Sequence, residues 1–335
     1  MRGPGELLFS PGRETGIALR RCLNDDFAKG LAYVFDACAR HIEIPGCASE
    51  ALLNRIRAGS RETPFMYALY FELLEAIERD RLDDAKSLIA RMVTLEPAES
   101  GILLTSLRPE EFPWDPSIFA GYFAAEEDSD TSFTAPPAEA VPPRKAQTGA
   151  ALELISRAAP GLAAELEEIV TTVVLARAVP LGDESGQVDP WQGASALRAF
   201  GSILANDELD PSVIDCAVSL IHEESHNALF ALSPSEGVVS NADGERQASP
   251  LSRDPRPFEG IFHATFVIAR VVYGMEIMLN SGRLTGEEQQ QAAQAAESHR
   301  PLFFDGLKTL RRRARLTAQG EAALDAAEAY MAAFA

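Results

Sequence analysis

The chain has 335 residues, 46% of them hydrophobic, which is enough for two domains or for one large domain with an appended module. Its formal net charge of −20 and pI near 4.7 argue against contact with phosphate backbones, because nucleic-acid binders usually present a basic patch. Four cysteines without CxxC spacing exclude a thiolate zinc site and a disulfide framework. No run approaches the roughly 18 uncharged apolar residues of a membrane span, and Met1-Arg2-Gly3-Pro4-Gly5-Glu6 leads into no signal-peptide core. The expected setting is cytoplasmic, with no membrane and no nucleic-acid partner.

Residues 14–95 read as amphipathic helices, with apolar side chains at helical spacing in Phe65 to Leu74 and again from Asp83 to Leu95. The acidic run Glu126 to Asp130 and the pairs Pro136-Pro137 and Pro142-Pro143 predict a connector. The expected organisation is therefore a helical N-terminal module over 1–123, a linker over 124–149 and a metal-binding domain over 150–335. The fold class is mainly α, with few or short strands. Within the last domain, 150–158 and 162–169 predict helices. Val170 to Leu175 fits either a helical continuation or a strand, and Ser195 to Ala205 either a strand or a buried helix.

Asp210-Pro211-Ser212 then predicts the start of a helix over 212–232, with Asp210 as N-cap. This helix carries Leu220-Ile221-His222-Glu223-Glu224-Ser225-His226, an HExxH motif. Histidines four apart lie one turn apart on one helix face, so both can reach one divalent ion. Random placement in this composition would yield roughly 0.01 such patterns. The Ser-, Gly- and Asn-rich stretch 233–253 predicts a surface connection or a mobile lid. Asp254-Pro255-Arg256-Pro257 then fixes the start of a second helix over 258–280.

That second helix offers His263 as third ligand, with 36 residues between it and His226, and Glu276 as the rival carboxylate. His41 and His299 are expected outside the constellation. Two chemistries fit the three ligands. In a zinc hydrolase, Glu223 is the general base for a metal-bound water. In an iron oxygenase, open positions take a 2-oxo acid and O₂, Glu223 handles a proton, and a cation holds the distal carboxylate. Arg256 and Arg270 are the candidates for that cation, each against the reading of an ordinary salt bridge to Glu223 or Glu276. Asn227 or Glu259 could orient an imidazole by accepting its second N–H. Trp114 and Trp191 read as core or turn packing rather than as a peptide groove. The cluster Arg311, Arg312, Arg313 and Arg315 reads as a solvated face or as partners of acidic neighbours.

Leu220-Ile221-His222-Glu223-Glu224-Ser225-His226, then Asp254-Pro255-Arg256-Pro257 and Gly260-Ile261-Phe262-His263, resemble bacterial HExxH-motif peptide-modification proteins associated with ribosomally made, post-translationally modified peptides. The resemblance covers mainly residues 150–335. It implies action on a precursor peptide by an Fe(II)- and 2-oxoglutarate-dependent β-hydroxylase, with His222, His226 and His263 as metal ligands and Arg256 as the arginine of the proline-flanked turn. The alternatives are a zinc peptidase that trims a precursor and a non-catalytic helical peptide-binding protein. The HExxHxxGxxH extension of one secreted-protease group is absent, since Ala228-Leu229-Phe230 continues the helix apolarly.

Overall fold

The computed structural model describes residues 8–42, 44, 46–126, 131–180, 193–208, 211–232, 236–242, 244–247 and 255–334. The expected mainly α fold is what forms: the protein is 66% helical with a few short strands. The chain divides into two compact units, each discontinuous in sequence. One comprises residues 20–145 and 167–209, and the other residues 1–19, 146–166 and 210–335.

The first unit contains most of helix α1 (Arg13–Cys38), then α2 (Gly46–Arg57), α3 (Pro64–Glu78), α4 (Leu82–Thr94) and α5 (Pro116–Glu126). It also holds a five-stranded sheet of β1 (Leu103–Ser106), β2 (Thr131–Thr134), β3 (Thr172–Pro180), β4 (Gly193–Ala194) and β5 (Ser202–Asn206). The order is β1-β3-β5-β4. β3 is parallel to β1 and β5, pairing Leu103 with Thr172 and Thr172 with Ser202, and β2 runs antiparallel to the far half of β3. The ambiguous run after Ile169 is therefore a strand. Its stretch Thr172 to Ala176 is buried throughout, as expected for a central parallel strand whose β-branched side chains fill both faces. The second ambiguous stretch forms a 3₁₀ turn, Leu197–Ala199, followed by β5. Between them Gly201 adopts a φ of +81°, where a Cβ would lie 3.1 Å from the Ile169 carbonyl oxygen. Phe112, Phe119, Phe123 and Phe133 pack with Val174 and Leu204 in one core cluster, and Trp114 joins it in a packing role. Trp191 lies outside the described residues.

The second unit is helical. It contains most of α6 (Val141–Ala158) and α7 (Pro160–Ile169), then α8 (Val213–Leu232), α9 (Phe258–Asn280), α10 (Gly286–Arg313) and α11 (Ala318–Met331), with a small two-stranded sheet of β6 (Arg246–Gln247) and β7 (Arg256–Pro257). α9 is buried on nearly all sides, and such a helix belongs to the centre of a core. By length and composition it is also long and apolar enough to cross a membrane, yet 72% of its apolar window is buried within the fold. α10 packs closely on it. A Cβ at Gly306 would meet Thr265 Cβ and Cγ2 at 3.1 and 3.2 Å, with Thr265 Oγ1 closer still. A β-branched side chain cannot swing its Cβ away, so Gly306→Ala should lower stability by about 1–3 kcal/mol through overpacking. Urea unfolding checks this; an unchanged midpoint would show that the helices separate freely.

Two expectations are corrected. The predicted linker over 124–149 contains the end of α5, β2 and the first half of α6. Its Pro142 and Pro143 stand in the first turn of α6, where missing N–H groups have no intrahelical partner to lose, so the proline pair marks a helix start. The predicted boundary near 150 also fails: 167–209 belong with the N-terminal helices, while 1–19 belong with the HExxH unit. Composition along the chain carries no signal for such interleaving.

Candidate metal centre

α8 starts close to where the sequence places it, with a different cap. The Ser212 hydroxyl accepts from Asp215 N at 3.1 Å while the Asp215 carboxylate accepts from Ser212 N at 3.0 Å, a reciprocal box that satisfies two end donors. Asp210 lies outside the described residues. From this fixed start, four helical turns bring His222 and His226 onto one face. Their Nε2 atoms stand 3.2 Å apart. Two nitrogens at about 2.0–2.1 Å from one tetrahedral ion are separated by roughly 3.3 Å, so the pair is spaced as an edge of a metal site. Both histidines are half-buried.

The electrostatics keep both imidazoles neutral, the form that binds a metal. Burial pushes His222 down to about 4, with a further contribution from His299. Burial also holds His226 well below the usual range, helped by His222, His263 and Arg256. His299, on α10, was set aside in the sequence reading because nothing in its spacing tied it to the motif. Its Nδ1 lies 2.7 Å from the Ala295 carbonyl oxygen. A carbonyl only accepts, so Nδ1 carries a hydrogen.

His263 comes from the first turns of α9, as expected, and meets His226, but on the other side of the ring: Nδ1 to Nδ1 at 3.2 Å. Among the described residues no three His, Cys, Asp or Glu side chains converge on a common metal position. The two facing Nε2 atoms are spaced for one divalent ion at the His222–His226 edge; the approach of His263 does not bring it to that edge. Glu276, the rival ligand, is engaged elsewhere, paired with Arg300 at 2.5 Å. His41 belongs to the other unit and is exposed. Glu223 is buried beside His222 on α8, and the Asn227 amide donates to the Glu223 backbone carbonyl at 3.0 Å. Glu259 lies 3.4 Å from His263 Nε2, the orienting contact foreseen for it, made to His263.

The two arginines separate. Arg256 is exposed, lies close enough to His226 to affect its protonation, and has no ion-pair partner among the described residues. Arg270 is 0% exposed and pairs with Glu224 at 2.9 Å and with Glu165, while also donating to the Leu8 carbonyl and to Ser225 Oγ at 3.4 Å. This corrects its assignment as a co-substrate cation. The seven-residue spacing from His263 describes Cα positions, but the guanidinium is drawn to two buried carboxylates on neighbouring helices, one of them inside the motif itself. The other basic cluster pairs as foreseen: Arg311 with Glu321 and Glu328 at 2.6 and 2.7 Å, and Arg315 with Glu245 at 2.6 Å.

Arg315 also helps seat the segment after α8. Ser240 N donates to the Arg315 carbonyl at 2.7 Å and Thr317 N to the Val238 carbonyl at 3.1 Å, with Val239 bridged to Leu316. Residues 238–240 of the 233–253 connection thus form a strap hydrogen-bonded along 315–317, while Arg246 and Gln247 pair with β7. No family model matches this chain, and no curated protein matches it.

Proposed function

We propose that this chain is a peptide-modifying metalloenzyme that hydroxylates a side chain of a ribosomally made precursor peptide, using Fe(II) and 2-oxoglutarate. The observation that supports a metal is the pair of neutral imidazoles with Nε2 atoms 3.2 Å apart on one face of α8. The observation that favours a 2-oxo acid over a plain hydrolytic water is Arg256, an exposed guanidinium within electrostatic reach of His226 and not neutralised by a described carboxylate. A fork of this kind takes a carboxylate in bidentate fashion.

In this reading His222 and His226 hold the ion, Arg256 anchors the distal carboxylate, and Glu223, buried next to His222, handles a proton. When bound, the iron supplies the activation of dioxygen. Arg270 binds no co-substrate.

Anaerobic protein reconstituted with Fe(II) should form succinate from 2-oxoglutarate under O₂, stimulated by peptide, with a mass gain of one oxygen on that peptide. Arg256→Leu should raise the 2-oxoglutarate requirement about tenfold or more while leaving metal content intact, since a hydrogen bond to a charged group contributes about 1.5–3 kcal/mol. An unchanged requirement removes Arg256 from the role. Peptide cleavage with Zn²⁺, and no succinate with Fe(II), would replace the oxygenase reading by the peptidase.

A further inference from the structure

His226 has two ring nitrogens, and the fold commits each to a different neighbour. Nε2 faces His222 Nε2 and Nδ1 faces His263 Nδ1, both at 3.2 Å. An imidazole offers a metal one lone pair. An ion shared by His222 and His226 through the facing Nε2 atoms therefore lies on the opposite side of the His226 ring from His263.

The remaining nitrogen of His263, Nε2, lies 3.4 Å from Glu259 Oε1. An ionised carboxylate only accepts, which places a hydrogen on His263 Nε2; the tautomer with its single hydrogen there carries its lone pair on Nδ1. That lone pair accepts Nδ1–H from His226, and the lone pair of His226 then stands on Nε2, where the ion belongs. One carboxylate so sets the direction of two imidazoles.

Glu259 is itself held. Burial opposes its ionisation, but the hydrogen bonds from His263 and from the backbone N–H groups of Val238 and Val239 keep it below the usual carboxylate range. The strap turns beside it at Gly237, whose φ of +67° favours glycine.

We infer that His263 and Glu259 are a positioning pair rather than inner ligands: Glu259 fixes the His263 tautomer, and His263 fixes His226 so that its Nε2 and that of His222 face one divalent metal. This rests on the metal-binding part of the reading above and goes beyond it in taking His263 out of the inner set. Partners of this kind commonly contribute 10–100-fold in metal affinity without being ligands.

The test is Co(II) titration of the full-length protein against a competing chelator, read by the visible ligand-field bands, which report the ligand set. The parent should bind one ion. His222→Ala should lose that binding. His263→Ala should weaken it about 10–100-fold with the bands retained. His263→Gln, whose amide oxygen can still accept from His226 Nδ1–H, should recover most of the loss. Glu259→Ala, which removes the acceptor facing His263 Nε2, should weaken binding as well, yet add nothing in the His263→Ala background, because both act through one path.

Loss of binding or altered bands in His263→Ala, equal to His222→Ala, would make His263 a ligand and overturn the inference, as would an unchanged affinity or additive effects. Should His263→Ala not fold, His263→Gln carries the test: altered bands overturn the inference, and parental bands with near-parental affinity support it. A parent protein that binds no Co(II) would sink the metal reading itself, an outcome distinct from the others.

Discussion

Arg270→Met is expected to destabilise the protein by about 3–5 kcal/mol, the cost of removing one partner from a buried ionic group. The wild-type guanidinium pairs with Glu165 on α7 and Glu224 on α8 and reaches the Leu8 carbonyl and Ser225 Oγ. Methionine fills much of the volume and leaves two carboxylates of 0% exposure with no cation, and one carbonyl without its donor. Natural domains have only about 5–15 kcal/mol in total, so the loss should be visible as an early urea midpoint and a lowered Tm. Adding Glu165→Leu and Glu224→Leu should return most of it, because replacing an entire buried ionic group by apolar side chains is often neutral or better. An Arg270→Met protein that unfolds like its parent but needs far more 2-oxoglutarate would restore Arg270 to co-substrate binding.

The same group should give the protein an unusual dependence on pH. One arginine faces two carboxylates; Glu165 Oε2 and Glu224 Oε1 have no hydrogen-bond partner while both are ionised, and a single proton between the two acids supplies the missing donor. Burial, reinforced by the neighbouring Glu224 charge, outweighs the pull of Arg270 and raises Glu165 from the usual 4.5 to about 8. The sign follows from proton counting. Between 4.5 and about 8 the folded group binds a proton that the unfolded chain releases, so its contribution is complete below about 4.5 and is lost as pH rises through about 8. Unfolding free energies should fall from pH 6.5 to 8.5, above the range in which the depressed His222 and His226 contribute a rise of opposite sign. Glu165→Gln, whose amide donates to Glu224 at every pH, should flatten this component while keeping the fold. A slope unchanged in Glu165→Gln would place the dependence elsewhere.

Much of the helical framework was legible because it rests on local rules. Apolar spacing located α8 and α9, the prolines of Pro255-Arg256-Pro257 set the start of the latter, and the i,i+4 rule brought His222 and His226 onto one face. The cap of α8 moved from Asp210 to Ser212 because the reciprocal Ser212–Asp215 bonds are a matter of a few ångströms. What composition could not carry was anything decided by distant partners. The proline pair at 142–143 reads the same in a linker and in a first helical turn. The β-branched run after Ile169 became a strand only through β1 and β5, which flank it on both sides. Arg270 looked available for a ligand because Glu165, more than a hundred residues upstream, could not be seen to meet it. His299 lay outside any spacing rule, and only the approach of α10 brings it to bear on His222. His263 was placed correctly near the pair, but which ring nitrogen it meets is a torsional fact below the resolution of sequence patterns.

The two middle letters of the HExxH pattern are commonly treated as free positions. Here Glu224 and Ser225 are both fully buried and both engage Arg270, so the motif helix presents its histidines on one face and is riveted to the core on the other. The pentapeptide is consequently not a portable cassette. Grafting His222 to His226 onto another scaffold would carry an unpaired acid into that scaffold's interior unless the counterparts of Arg270 and Glu165 travelled with it. Within this protein, libraries that randomise positions 224 and 225 would select first for survival of the fold.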